Sequence, residues 1–267
     1  MNNKRGKSLC LFSAKGGVGK TITTINLAGI FKIVEKKVLI IDLNLSSGGI
    51  SIALNKPTEK SIYNLVDDYE NNRHFDFKNY VTHYDEDIDI LASPKDPRQA
   101  TKIDSKYIDL IIDKACFSYD VVLIDMNHTL SELNIVTLDK VDNILFLMTN
   151  DPMDLKNMKS IISVFRDLDL TNYKVLLNNS VNAYKNYFSL FDMKNVMKAN
   201  IDYTLSSNFF IKNIDDYIMN GEIITLQKRM PSLFAKEYAT FMTIAADVLK
   251  ENGDKNAKTK RTIRIKF

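Results

Sequence analysis

The residues best suited to chemistry stand together near the start of the chain: Lys15-Gly16-Gly17-Val18-Gly19-Lys20-Thr21. Closely spaced glycines let successive backbone N–H groups turn inward around an anion, and a helix opening at Lys20 adds the partial positive charge of its N-terminus. In such a loop Lys20 reaches the β- and γ-phosphates of a nucleotide, and the Thr21 hydroxyl ligates Mg²⁺. The strict pattern G-x-x-x-x-G-K-[ST] is missed at one place, where Ala14 stands for the first glycine. The additional cation, Lys15, puts a second positive charge at the phosphates, available to the nucleotide of an adjacent subunit. The alternative is a plain glycine turn with both lysines solvated. Strand, motif and helix in that order favour the phosphate loop.

The elements that must position this loop alternate along the chain. Short apolar runs at Ser8–Ser13, Lys37–Leu43, Ile88–Ala92, Asp120–Asp125, Asn143–Thr149 and Tyr173–Asn178 read as strands, with a weaker one at Ile201–Thr204. Their unbroken Val/Ile/Leu content suits strands covered on both faces. Helical periodicity occupies Lys20–Val34, Ser61–Tyr69, Ser105–Phe117, Glu132–Leu138, Met153–Leu168, Tyr187–Met197, Phe210–Met219 and Pro231–Leu249. Asp151-Pro152 is a cap followed by proline at the first helical position. The pattern predicts an α/β fold with a doubly wound, mostly parallel sheet flanked by helices, binding its ligand at the carboxyl ends of the strands.

With the loop in that setting, KGGVGKT resembles the deviant phosphate loop of the MinD/ParA family of dimerising ATPases. The resemblance covers about residues 8–250. It implies ATP and Mg²⁺ as ligands, an ATP-dependent homodimer, and a signature lysine at Lys15 that crosses to the partner's phosphates. The family's Asp-x-Asp element is matched by Asp42-Leu43-Asn44 after VLII, and its Walker B strand by VVLI ending in Asp125, a Mg²⁺ contact made through water. The adenine-recognising asparagine at the end of a later strand is matched by Asn178 in VLLNNS. Within the family, DLNLSSGGISIALN, DIDILASPKDPRQA and LDKVDNILFLMTNDPMDLKNMKSII resemble the TadZ/CpaE branch, which localises type IV (Tad) pilus assembly machinery. That branch implies pilus or secretion assembly proteins as partners. The N-terminal receiver-like domain of full CpaE proteins is not in this sequence.

Three departures from the family's pattern stand out, the first two bearing on turnover and the third on the base contacts. The second aspartate of the Asp-x-Asp element, which handles the attacking water, is Asn44 here, and an amide cannot accept a proton. Losing a general base costs on the order of 10²–10⁴ in rate, although some phosphate-loop enzymes orient water with an amide. Slow hydrolysis is therefore expected, the alternative being compensation by Asp42. The family's Asp-x-Pro-Pro becomes Asp125-Met126-Asn127-His128, and His128 reads either as a surface residue or as a proton acceptor near the γ-phosphate. The proline before the adenine-contacting loop is also missing from IDYTLS.

Composition narrows the remaining classes. The 36 Lys and Arg against 33 Asp and Glu give +3, but residues 251–267 alone carry +4, which leaves −1 for residues 1–250. A neutral body with a basic, polar tail argues against a globally basic nucleic-acid coat. The expected organisation is an ATPase domain over 1–250 and a disordered tail over 251–267. No apolar run approaches the roughly 18–20 residues of a bilayer span, no signal sequence is evident, and Cys10 and Cys116 read as buried free thiols, so a cytoplasmic location is expected. The tail KTKRTIRIKF could be solvated, touch an anionic membrane surface, or add as a strand to a partner. His74, His83 and His128 have no metal-ligand spacing with the cysteines, which disfavours iron–sulfur carriers. Three alternatives stay open: a ParA-like partition ATPase binding DNA non-specifically, a MinD-like membrane regulator, and a nucleotide-dependent scaffold that never hydrolyses.

Overall fold

A computed structural model describes residues 5–71, 73, 76–181, 187–209 and 214–250. The tail 251–267, His74 and the start of the helix expected from Phe210 lie outside the described residues.

Eight strands form one sheet: β1 (Lys7–Phe12), β2 (Val38–Leu43), β3 (Thr82–His83), β4 (Ile88–Leu91), β5 (Val121–Met126), β6 (Asn143–Met148), β7 (Tyr173–Asn178) and β8 (Tyr203–Leu205). Their spatial order is β3-β4-β2-β5-β1-β6-β7-β8. Every pairing is parallel except β3 with β4, which is antiparallel. The described helices are α1 (Lys20–Ile33), α2 (Ile50–Ala53), α3 (Ile62–Glu70), α4 (Ile108–Ser118), α5 (Glu132–Lys140), α6 (Pro152–Asp167), α7 (Leu190–Met197), α8 (Ile214–Asn220), α9 (Met230–Leu233) and α10 (Ala235–Leu249).

The unbroken apolar strands follow from burial on two sides. Alternate residues of β1, Cys10 and Phe12, join Leu39, Ile41, Val122, Ile124 and Phe146 under the layer of α3–α7. The intervening Leu9 and Leu11 join Val38, Ile40, Leu123 and Leu145 under α1 and α10, against Leu27, Phe31 and Phe241. Both faces of each central strand must therefore be apolar, and the period of two that marks a half-exposed strand disappears. The two cysteines are buried free thiols, as expected.

Strand order reverses around β1. From it the chain runs outward to β2 and β4 and returns to β5, and later moves to the other side through β6, β7 and β8. A crevice opens at such a switch point, beyond the carboxyl ends of the strands. The segment leaving β1 into this crevice is the glycine-rich loop.

Sequence and structure part company in a few places. The helix expected over Pro231–Leu249 is two helices, because Phe234 leaves helical geometry at φ −131° and ψ 47°. The segment expected as a helix from Ser105 begins with a single 3₁₀ turn, Ser105–Tyr107, before α4. Tyr187–Ser189 precedes α7, since Ser189 is its N-cap and accepts from the Asp192 amide. Short α2 and β3 were not anticipated; β3 has two residues and makes a hairpin with β4. Asp85, Glu86 and Asp87 form the turn of that hairpin. Asp85 accepts from the Asp87 and Ile88 amides and pairs with Lys32 on α1.

Candidate functional site

Two glycines of the loop hold φ of +74° at Gly17 and +91° at Gly19, backbone that side-chain-bearing residues rarely adopt. Gly19 is constrained twice, because a Cβ there would lie 2.7 Å from Asn178 Nδ2. The end of β7 thus packs directly on the loop. Asn178 Nδ2 donates to the Val18 carbonyl at 3.0 Å, and its Oδ1 accepts from the Ser180 amide and hydroxyl.

Lys20 is held at the loop's centre. Its Nζ donates to Ser13 Oγ at 2.6 Å, and Ser13 Oγ donates to the Lys15 carbonyl at 2.6 Å, closing a clamp across the loop. Burial lowers the Lys20 ammonium below its ordinary pKa, opposed by the nearby carboxylates of Asp125 and Asp154. Next to it, Thr21 Oγ1 donates to Asp125 Oδ2 at 2.6 Å.

Asp125, next to last in β5, lies beside Asp42, next to last in β2, the two being register partners in the sheet. Burial first, and then the neighbouring Asp42, raise the Asp125 pKa to about 7. Burial likewise raises Asp42 to about 6, against hydrogen bonds from the Ile50 and Asn44 amides and the Ser93 hydroxyl. Asp125 Oδ1 is buried without a hydrogen-bond partner. Two buried carboxylates, one with an orphaned oxygen beside a threonine hydroxyl, fit a hard divalent cation, which favours oxygen donors and offsets their repulsion.

A cavity of about 770 Å³ opens over these groups, lined by Gly16, Gly17, Gly19, Lys20, Thr21, Asn44 and His128 among others. Asn44 meets the cavity with its amide engaged: Nδ2 donates to the Ser47 carbonyl and Oδ1 accepts from Ser47 Oγ, both at 3.1 Å. Asp42 does not line the cavity; it is fully buried behind Asn44, whose backbone amide it accepts at 3.1 Å. Lys15 also leaves its own cavity. Its Nζ lies 3.3 Å from Asp151 Oδ1 at the start of α6, with 38% of the side chain exposed.

Of the residues singled out in the sequence, Gly16, Gly17, Gly19, Lys20, Thr21 and Asn44 line one cavity. Asp125 backs it through Thr21, while Val18 and Asn178 form its buried support. Four supporting residues were missed. Ser13 anchors Lys20. Ser93 and Gly48 close over Asp42; a Cβ on Gly48 would lie 1.7 Å from Ser93 Oγ. Asp154 is fully buried and accepts from the Thr149 amide and hydroxyl. Only Ser13, the last residue of an apolar run and next to the loop, carried a local signal.

Residues 6–183 match the family model described as an AAA domain (AAA_31). The chain belongs to that AAA domain family. Its fold is that of ParA and MinD proteins. A ParA family ATPase from Chlorobium tepidum TLS superposes with a TM-score of 0.77 at 16% identity, over 90% of this chain and 98% of the other. The septum site-determining protein MinD of Pyrococcus horikoshii OT3, complexed with Mg-ADP, gives 0.75 at 18%, over 92% and 96%. The MinC:MinD cell division complex of Aquifex aeolicus gives 0.72 at 20%, over 93% and 98%. No curated protein sequence matches the chain. Among the described residues, no helix of this AAA domain is long and apolar enough to cross a membrane, and no group of three or more His, Cys, Asp or Glu could hold a metal.

Proposed function

We propose that the protein is an ATP- and Mg²⁺-binding dimerisation switch of the MinD/ParA type that hydrolyses ATP slowly. The observation that carries this reading is the Lys20–Thr21–Asp125 arrangement under one cavity, with the orphaned Asp125 Oδ1 beside it. The structural likeness to MinD complexed with Mg-ADP supports it. Loop N–H groups and Lys20 hold the β- and γ-phosphates, and Asn178 sits at the far end of the loop, where adenine recognition is assigned. Thr21 and Asp125 would hold Mg²⁺, which would supply positive charge against the negative charge that develops on the phosphates.

Lys15 supports the dimer. Its ammonium stands outside the lining of its own cavity, against Asp151 at the start of α6, the place from which it would reach the nucleotide of a second copy. Binding between two subunits couples nucleotide occupancy to association. Asn44 supports slow turnover: it lines the cavity but has no basic oxygen to take a proton from water, and its amide is tied to Ser47. Asp42 acts behind it, fixing the Asn44 backbone. Slow hydrolysis would make a long-lived ATP dimer.

The wording shared with the TadZ/CpaE branch points to recruitment or positioning of a pilus or secretion assembly in the cytoplasm. The neutral body weighs against the DNA-partitioning reading. The basic tail 251–267 is assigned to membrane-surface or partner contact. Size-resolved scattering with and without ATP and Mg²⁺ tests the switch: ATP should convert monomer to dimer, and unchanged association would refute it.

A further inference from the structure

We propose that His128 is a second recognition element for the terminal phosphate, donating an imidazole N–H to the γ-phosphate and so distinguishing ATP from ADP; this rests on the ATP-binding reading above. The loop has two ends. At Gly19 its neighbours are Asn178 and Val181. At Gly16 the neighbour is His128: a Cβ built on Gly16 would lie 3.6 Å from both Cε1 and Nδ1 of the imidazole. The ring therefore stands over the end of the loop opposite the one assigned to the base, on the wall shared with Asn44. Lys20 and Thr21 hold the β/γ region between them, so the outermost phosphate falls toward His128.

The loop that carries the ring is built to hold it there. Asn127 Oδ1 accepts three hydrogen bonds, from the Thr129 amide at 3.0 Å, Thr129 Oγ1 at 2.8 Å and Asn134 Nδ2 at 2.7 Å. Asn134 is fully buried on α5 and also donates to the Thr129 carbonyl at 2.7 Å. His128 is thus fixed between two residues stapled to a helix, and the resembling family has prolines at the positions of Asn127 and His128. The imidazole itself is exposed to the cavity and makes no hydrogen bond to any described residue. A rigid backbone presenting an uncommitted donor beside a phosphate loop is a preorganised anion contact.

The test titrates the full chain with Mg²⁺ and either the non-hydrolysable triphosphate AMPPNP or ADP, by calorimetry, for wild type, His128→Ala and His128→Asn. One charge-assisted hydrogen bond corresponds to about a tenfold change in affinity. His128→Ala should weaken AMPPNP about tenfold and leave ADP unchanged. His128→Asn, which keeps an N–H near the Nδ1 position, should recover most of the loss. Equal losses for both nucleotides, or unchanged AMPPNP affinity in His128→Ala, would overturn the assignment while leaving the ATP-binding reading intact. Wild type that binds neither nucleotide would overturn both.

Discussion

Lys15 Nζ lies 3.3 Å from Asp151 Oδ1 of its own subunit. Asp151 is also the N-cap of α6, accepting from the Met153 and Asp154 amides, and hydrogen bonds and Lys15 hold its carboxyl below the usual range. The ammonium assigned to a partner's phosphates is therefore engaged at home. Asp151→Asn keeps a capping oxygen but removes the competing charge. Exposed pairs contribute about 0.2–1 kcal/mol, and two are released per homodimer, so ATP-dependent dimerisation should tighten by up to about thirtyfold. Lys15→Ala should weaken it. Sedimentation equilibrium with ATP and Mg²⁺ reads both; an Asp151→Asn dimer weaker than wild type would refute the competition.

Asn44→Asp should raise turnover. The substitution restores an oxygen able to take a proton from water at the cavity wall, and recovery of about tenfold or more is expected from general-base magnitudes. A phosphate-release assay decides it. Equal rates would show that Asn44 does not limit hydrolysis, and zero turnover in both would favour the non-hydrolysing scaffold.

Asp125→Asn should separate stability from binding. Asp125 and Asp42 are buried side by side, and both are pushed toward neutrality by burial. Removing one charge relieves repulsion in the ligand-free protein, so its thermal midpoint should stay level or rise. The increment in nucleotide affinity that Mg²⁺ supplies should disappear. A variant that unfolds at lower temperature and keeps the Mg²⁺ effect would contradict the assignment.

The amino ends of the central strands β1 and β6 offer a pH test. Asp142 accepts from the Ser8 amide and hydroxyl at 2.8 Å and pairs with Arg5 at 2.8 Å. Burial raises its pKa, but these hydrogen bonds and the Arg5 charge outweigh burial and hold it below the ordinary value. A depressed folded pKa contributes stability that is present above the unfolded value of about 3.9 and is lost as pH falls through the folded one. Asp142→Ala should cost about 2 kcal/mol at pH 7. In thermal melts that gap should narrow as pH drops below about 4; a gap independent of pH would show that the charge is not what stabilises.

The identities of the phosphate-loop residues were legible because their chemistry is local. Gly17 and Gly19 serve a backbone geometry set within a few residues, and Lys20 and Thr21 follow at fixed spacing. The sheet was legible too, because strands buried on both faces must be apolar throughout. Local rules failed where the backbone breaks without a proline or glycine, as at Phe234, and where an element is too short to show a period, as in β3.

The sequence by itself determined the loop, the order of strands and helices, and the loss of a proton-accepting oxygen at Asn44. Tertiary structure decided which distant residues meet the loop. Asp125 lies 104 positions from Thr21, and Asn178 lies 160 from Val18, yet each is within hydrogen-bond reach. Only the placement of β1 between β5 and β6 brings such ends together, since sheet order depends on how two apolar faces are covered, and no short window of sequence records that. The same placement sets Lys15 against Asp151 and His128 over Gly16, the two contacts on which the dimer and phosphate predictions turn.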